Sequence, residues 1–170
     1  GALQKLPFKM LIHGTEIQTS YVSGVCSDPD MRNEGIGNAI MRQAHMQMYN
    51  TGTVIATLIP AEEWLYDWYS RMGYVERIVC TPPPANIMEM SFEEFDRMQR
   101  AKACVILHDA DNLEVIKKDI EIAGEQYHPA TDPINGMLRI INVKKALEIY
   151  AAAHPDVHTK IHVRADKDIP

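Results

Sequence analysis

The chain has 170 residues, 46% of them apolar and 24% charged, with a formal net charge of −6. That composition suits a soluble globular protein of one ordinary domain, or pieces of two or three. The negative balance argues against a nucleic-acid binder and an anionic membrane surface as partners, no apolar run is long enough to span a bilayer, and the N-terminus lacks a signal-peptide layout.

Residues 7–28 read as two extended stretches joined by a turn-like His13-Gly14-Thr15. Phe8 to Ile12 is the first and Thr19 to Cys26 the second, where Tyr21, Val22 and Val25 supply β-propensity. A helix is predicted from about Gly35 to Tyr49, because Ile36, Ile40, Ala44 and Met48 recur four residues apart. Asn50-Thr51-Gly52 closes it. Thr53 to Ile59 reads as a buried strand, Pro60 to about Met72 as a helix stopped by Gly73, and Tyr74 to Val79 as a strand. Pro82-Pro83-Pro84 makes a stiff linker.

Beyond it, Ser91-Phe92-Glu93-Glu94 is a capping box opening a helix to about Lys102, and Ala103 to Leu107 is strand-like. Asp111-Asn112-Leu113-Glu114 resembles a second capping box, for a helix to about Ala123 stopped by Gly124. Tyr127 to Gly136 reads as a second linker. A strand from Met137 to Asn142, a helix from Val143 to Ala153 and a half-exposed strand from His158 to Arg164 complete the pattern. Residue 1 opens onto one strand-like run and Pro170 closely follows another, so segments are expected to be missing at both ends. Cys26, Cys80 and Cys104 are odd in number and widely spaced, as reduced thiols of a cytoplasmic protein would be.

The chemistry-bearing segment is Ser23 to Gly37, SGVCSDPDMRNEGIG. A strand runs into a polar turn and then into a glycine-spaced helix start. The first turn of a helix carries unpaired N–H groups and partial positive charge, so it can hold phosphate. Gly35 and Gly37 leave room for a close approach, and Arg32 adds a charged donor. Alone, Arg-x-x-Gly-x-Gly fits equally a strand-to-helix turn whose glycines serve packing.

The order strand, Arg-x-x-Gly-x-Gly, amphipathic helix, apolar strand, helix, Gly-aromatic strand resembles the coenzyme A half of the GNAT superfamily of N-acetyltransferases, over about Thr19 to Val79. Trp68-Tyr69-Ser70-Arg71-Met72-Gly73-Tyr74 is similar to that family's Tyr-x-x-x-Gly-aromatic signature. The resemblance implies acetyl-coenzyme A as donor. It implies that Val25, Cys26 and Ser27 pair with the pantetheine arm and that Arg32, Asn33, Glu34, Gly35, Ile36 and Gly37 form the pyrophosphate loop, with Asn38 behind it. It makes Tyr69 the catalytic residue that acts on the leaving thiolate. A neutral phenol can stabilise that thiolate, since tyrosine ionises at about 10 and a thiol at about 8.5. Read without the family, Tyr69 is a core aromatic at helical spacing from Leu65 and Met72. Glu34 departs from the family pattern, because a carboxylate beside a pyrophosphate is repulsive.

Gly136 to Val143, followed by Ala146-Leu147-Glu148, resembles the start of the sterol-carrier-like domain in acetyltransferases of the Eis (enhanced intracellular survival) type. The patterning also suits a strand and helix of any α/β domain. The expected fold is α/β (α+β): a GNAT-like mixed sheet flanked by helices over 1–81, part of a second GNAT-like domain over 85–126, and the start of a sterol-carrier-like domain over 134–170. The expected activity is direct acetyl transfer to a small-molecule amine, or to a lysine or N-terminal amine. A catalytically weak scaffold and an apolar-ligand binder are the rivals, and assembly with further copies of itself stays open. His45 is expected at the surface or in packing, and Glu62 and Glu63 at a helix N-terminus. The remaining histidines show no metal-ligand spacing, so no metal is expected.

Overall fold

A computed structural model of the protein describes residues 1–127 and 134–162. β1 (Ala2–Ile12) and β2 (Thr15–Cys26) form a long hairpin. Its turn residues His13 and Gly14 both have positive φ, 47° and 79°, the twist that suits a two-residue hairpin turn. Both strands begin earlier than the apolar pattern indicates. Pairing runs through residues such as Lys5 and Gln18, whose side chains carry no strand signal.

The chain continues as α1 (Ile36–Asn50), β3 (Ile55–Leu58), α2 (Glu63–Ser70), β4 (Val75–Cys80), α3 (Phe92–Arg100), β5 (Cys104–Leu107), α4 (Ala110–Ala123), β6 (Ile134–Ile140) and α5 (Val143–Ala153). α2 is shorter than its pattern, because Glu62 is extended and serves as the N-cap. The Ser91–Glu94 capping box forms as expected. The next box is made by Asp109 and Asn112, so α4 starts before Asp111. Ile134 to Gly136 belong to β6 rather than to a linker, since they pair with Cys80 to Ile78 of β4. Residues 158–162 form no strand and Ile161 is exposed, because an alternating run needs a neighbour to bond its backbone. Val163 and Arg164 lie outside the described residues.

The six strands form one mixed sheet in the order β4-β6-β3-β2-β1-β5. β5 comes from segment 85–126 and β6 from segment 134–170, so strands of all three expected domains share this sheet. β2 and β3 are parallel neighbours joined through α1, the crossover that parallel pairing requires.

One face carries α1 and α2. Met41, Ala44 and Met48 of α1 pack there with Tyr69, Tyr74, Leu58 and Met137. Each of the fully buried methionine and leucine side chains contributes roughly 1.5–3 kcal/mol. On the opposite face Ala146 and Ile149 of α5 pack against Met10, Ile17 and Ile55. α3 and α4 close a separate small cluster around Ile87, Phe95 and Leu113. No helix among the described residues is long and apolar enough to cross a membrane.

Candidate active site

β2 and β3 share only the rungs Thr19↔Ile55, Ser20↔Ala56 and Tyr21↔Thr57. β2 then continues to Cys26 with β1 alone as partner, so its β3-facing edge is open. The cause is local. Between Ala2↔Cys26 and Gln4↔Ser23 the register slips, and β2 carries an extra residue at Gly24, whose φ is 60°. Such a bulge bends its strand and increases its twist. Val25 and Cys26 lie on this open stretch and Ser27 follows it. Val25 packs against the main core, whereas Cys26 is exposed.

The open strand leads to the start of α1. Asp28 turns the chain by accepting from the Asp30 N–H at 3.0 Å. Asn33 and Gly35 both take positive φ, 67° and 75°. Gly35 is the N-cap residue and makes no side-chain cap, so no side chain occupies the first-turn N–H groups of α1. Arg32, Asn33, Glu34 and Gly35 face solvent, Ile36 is half-buried, and Asn38 is exposed one residue further along the helix than Gly37.

The two glycines are required for different reasons. A Cβ on Gly35 would meet nothing within 4 Å, and its left-handed backbone is what excludes side chains. A Cβ on Gly37 would stand 3.0 Å from Cζ2 of Trp68, so that glycine lets α1 approach α2.

Tyr69 is 6% exposed and shares a cluster with Val22 and Leu58, the residues just past the last β2–β3 rung. Its ring stands edge-on to Trp68 at 4.8 Å and to Tyr74 at 5.8 Å. Burial raises the Tyr69 phenol above its ordinary pKa, and Tyr21 adds to the effect. Burial likewise raises the Tyr21 phenol and the Cys80 thiol above their ordinary values.

His45 is neither at the surface nor simply packed. It is 2% exposed, and its Nε2 lies 2.9 Å from the Tyr74 hydroxyl. Burial holds the Tyr74 phenol well above its usual value, with Arg139 pulling partly back. Arg139 of β6 donates to the Met72 carbonyl and lies against Gly73. Asn38, Arg42 and His45 of α1, with Trp68, Arg71 and Arg139, line a polar cavity of about 240 Å³. A larger open hollow of about 660 Å³ belongs to α3 alone, between Phe92 and Ala101. The signal for His45 was present: it lies within the buried stripe of Met41, Ala44 and Met48. Glu62 and Glu63 do sit at the start of α2, where Glu62 accepts from Trp64 Nε1 at 2.6 Å. Among the described residues no group of three or more His, Cys, Asp or Glu could hold a metal ion.

Residues 1–76 match the family model of the acetyltransferase (GNAT) domain. The match ends inside β4, after both glycine motifs. Among solved structures, Eis1 from Mycobacterium abscessus is 11% identical with a TM-score of 0.54, covering 86% of this chain and 63% of that one. A GCN5-related N-acetyltransferase from Anabaena variabilis is 16% identical with a TM-score of 0.53, covering 86% and 61%. A probable N-acyltransferase from Enterococcus faecalis is 27% identical with a TM-score of 0.40, covering 45% of this chain and 19% of that one. The chain thus spans less than two thirds of the length of each. No curated protein matches it. The mixed sheet flanked by helices is consistent with a GNAT fold. The comparisons lend no support to a second GNAT-like domain or to a sterol-carrier-like domain.

Proposed function

We propose that the protein is an acetyl-coenzyme A-dependent N-acetyltransferase that transfers the acetyl group directly to a primary amine in a ternary complex. The observation that carries this reading is the parting of β2 from β3 directly after Tyr21↔Thr57, with Tyr69 packed beside Val22 and Leu58 at that point. The residues suit the donor: the β2 edge is open, and no side chain caps α1. In this reading the backbone of Val25, Cys26 and Ser27 bonds the pantetheine arm and polarises the thioester carbonyl. The loop backbone of Asn33, Glu34 and Gly35 and the first-turn N–H groups of α1, from Ile36, Gly37 and Asn38, hold the pyrophosphate with Arg32.

The donor supplies an activated thioester. As the amine nitrogen bonds to its carbonyl carbon, the C–S bond breaks and the electron pair leaves on sulfur. Tyr69, kept neutral by its raised pKa, donates a hydrogen bond to that sulfur. No described residue is assigned as the base that takes the amine proton. A net charge of −6 suits an acceptor that carries positive charge.

Calorimetry with acetyl-coenzyme A tests the donor, and turnover with a panel of amines tests the reaction. The expected result is saturable heat, together with slowed amide exchange over residues 32–38. No heat and no protection would sink the enzyme reading and leave a silent scaffold. Tyr69→Phe is expected to lower kcat by about 10- to 100-fold with donor binding intact. Unchanged turnover in that variant would remove the leaving-group role.

A further inference from the structure

Neither coenzyme binding nor leaving-group chemistry uses the buried His45–Tyr74 pair. Both residues are almost fully buried, at 2% and 1% exposure; Tyr74 belongs to the apolar cluster of α1, α2 and the sheet, and His45 borders the polar cavity beside it. Apolar side chains alone would fill that space and could slide. A buried hydrogen bond has one good geometry, because breaking it leaves polar atoms without water. Here the bond runs from the third turn of α1 to the residue after Gly73, so it joins two elements separated by β3 and α2.

Tyr74 is also tied directly to Tyr69. Its backbone N–H donates to the Tyr69 carbonyl at 3.2 Å, and the two rings meet edge-on at 5.8 Å. The Met72 N–H donates to the same carbonyl at 2.9 Å. Arg139 pins this turn from β6 through the Met72 carbonyl. A displaced Tyr74 therefore carries the end of α2 with it. The other side of the Tyr69 ring is held by Trp68, which lies against Gly37 at the start of α1.

We propose that the His45–Tyr74 hydrogen bond positions Tyr69 relative to α1, so that the phenol and the helix start stand at a fixed separation. His45 and Tyr74 are then positioning residues, and this role rests on the acyl-transfer reading given above. A bound donor would span both groups, the pyrophosphate at α1 and the sulfur at Tyr69. An error in their separation would cost turnover while leaving most of the donor contacts in place.

The test is a set of variants measured for kcat, for the KM of acetyl-coenzyme A and for thermal midpoint. Tyr74→Phe keeps the ring and deletes the hydroxyl. It is expected to lower kcat roughly tenfold with KM within about twofold. In a Tyr69→Phe background the same change is expected to lower kcat by less than about twofold, since the positioned group is gone. His45→Leu should behave like Tyr74→Phe, and His45→Gln, which can still reach the hydroxyl, should restore most of the loss. Equal fold-losses from Tyr74→Phe in both backgrounds would overturn the positioning role and leave the enzyme reading standing. A fully active Tyr69→Phe variant would instead overturn the Tyr69 assignment, and the positioning role with it. A readout independent of turnover is the carbon-13 resonance of the labelled Tyr69 ring. Tyr74→Phe should shift it and bring its titration down toward the ordinary tyrosine value as water reaches the ring. An unmoved resonance and titration would refute the coupling even if no acceptor is found.

Discussion

Gly37→Ala separates two explanations for the second glycine of the Arg32 to Gly37 loop. If the glycine exists to admit a phosphate, alanine should weaken donor binding and leave stability unchanged. The structure gives a different expectation. The added Cβ would stand 3.0 Å from Cζ2 and 3.4 Å from Cη2 of Trp68. Both atoms belong to a rigid indole held edge-on against Tyr69 at 4.8 Å. Relief therefore requires α2 to move, not the end of a flexible side chain. Overpacking of this kind costs about 1–3 kcal/mol. Alanine recovers part of it through helix propensity, at most about 1 kcal/mol. The net expectation is about 1–2 kcal/mol of destabilisation, or roughly 2–8 °C in thermal midpoint for a chain of this size. Thermal unfolding followed by circular dichroism reads the loss, and calorimetry reads donor affinity in the same variant. The cost of Gly37→Ala should shrink in a Trp68→Leu background, because the clash is then gone. A Gly37→Ala protein that melts with the wild type and loses only donor affinity would refute the packing argument.

Three further outcomes follow from the same structure. Glu34 is exposed within the proposed pyrophosphate loop, so Glu34→Gln should tighten acetyl-coenzyme A about two- to fivefold at low salt, with the gain shrinking above roughly 0.15 M in calorimetric titrations. The Thr57 hydroxyl is buried with no hydrogen-bond partner among the described residues, so Thr57→Val should raise stability by about 1 kcal/mol in urea unfolding. Ser91→Ala removes the hydroxyl half of the capping box of α3 and should cost about 1 kcal/mol. The Ser91 backbone N–H, and then its hydroxyl, hold the Glu94 carboxyl below its usual pKa. That contribution is complete above the unfolded-state pKa and is lost as pH falls through the folded one. Ser91→Ala keeps the backbone N–H and deletes the hydroxyl, so it should flatten the acid side of the stability profile only in part, which unfolding at a series of pH values reads directly.

Much of the fold was legible in local signals. The α1 stripe at four-residue spacing, the Ser91 capping box and the stop at Gly124 each depend on atoms a few residues apart. Their physics is complete within a short window of chain, and α5 spans Val143 to Ala153 as read. The order of motifs from Thr19 to Val79 likewise pointed to the fold with which residues 1–76 are matched.

Pairing and burial were decided elsewhere. Nothing in Ile134 to Ile140 states that this segment lies between β3 and β4, since any apolar strand meets that requirement locally and only the competition among edges selects one. The same holds for Gly37, whose glycine could be read from sequence but whose neighbour, Trp68, lies 31 positions away. His45 is the sharpest case. A histidine in an apolar helical stripe is ambiguous until the fold brings the Tyr74 hydroxyl to 2.9 Å. By itself the sequence determined which segments could be helix or strand and which turn could meet a phosphate. Tertiary structure decided which edge of β2 stays open, which polar groups are buried and what each then touches. Those outcomes depend on contacts between residues far apart in the chain, and no local pattern encodes them.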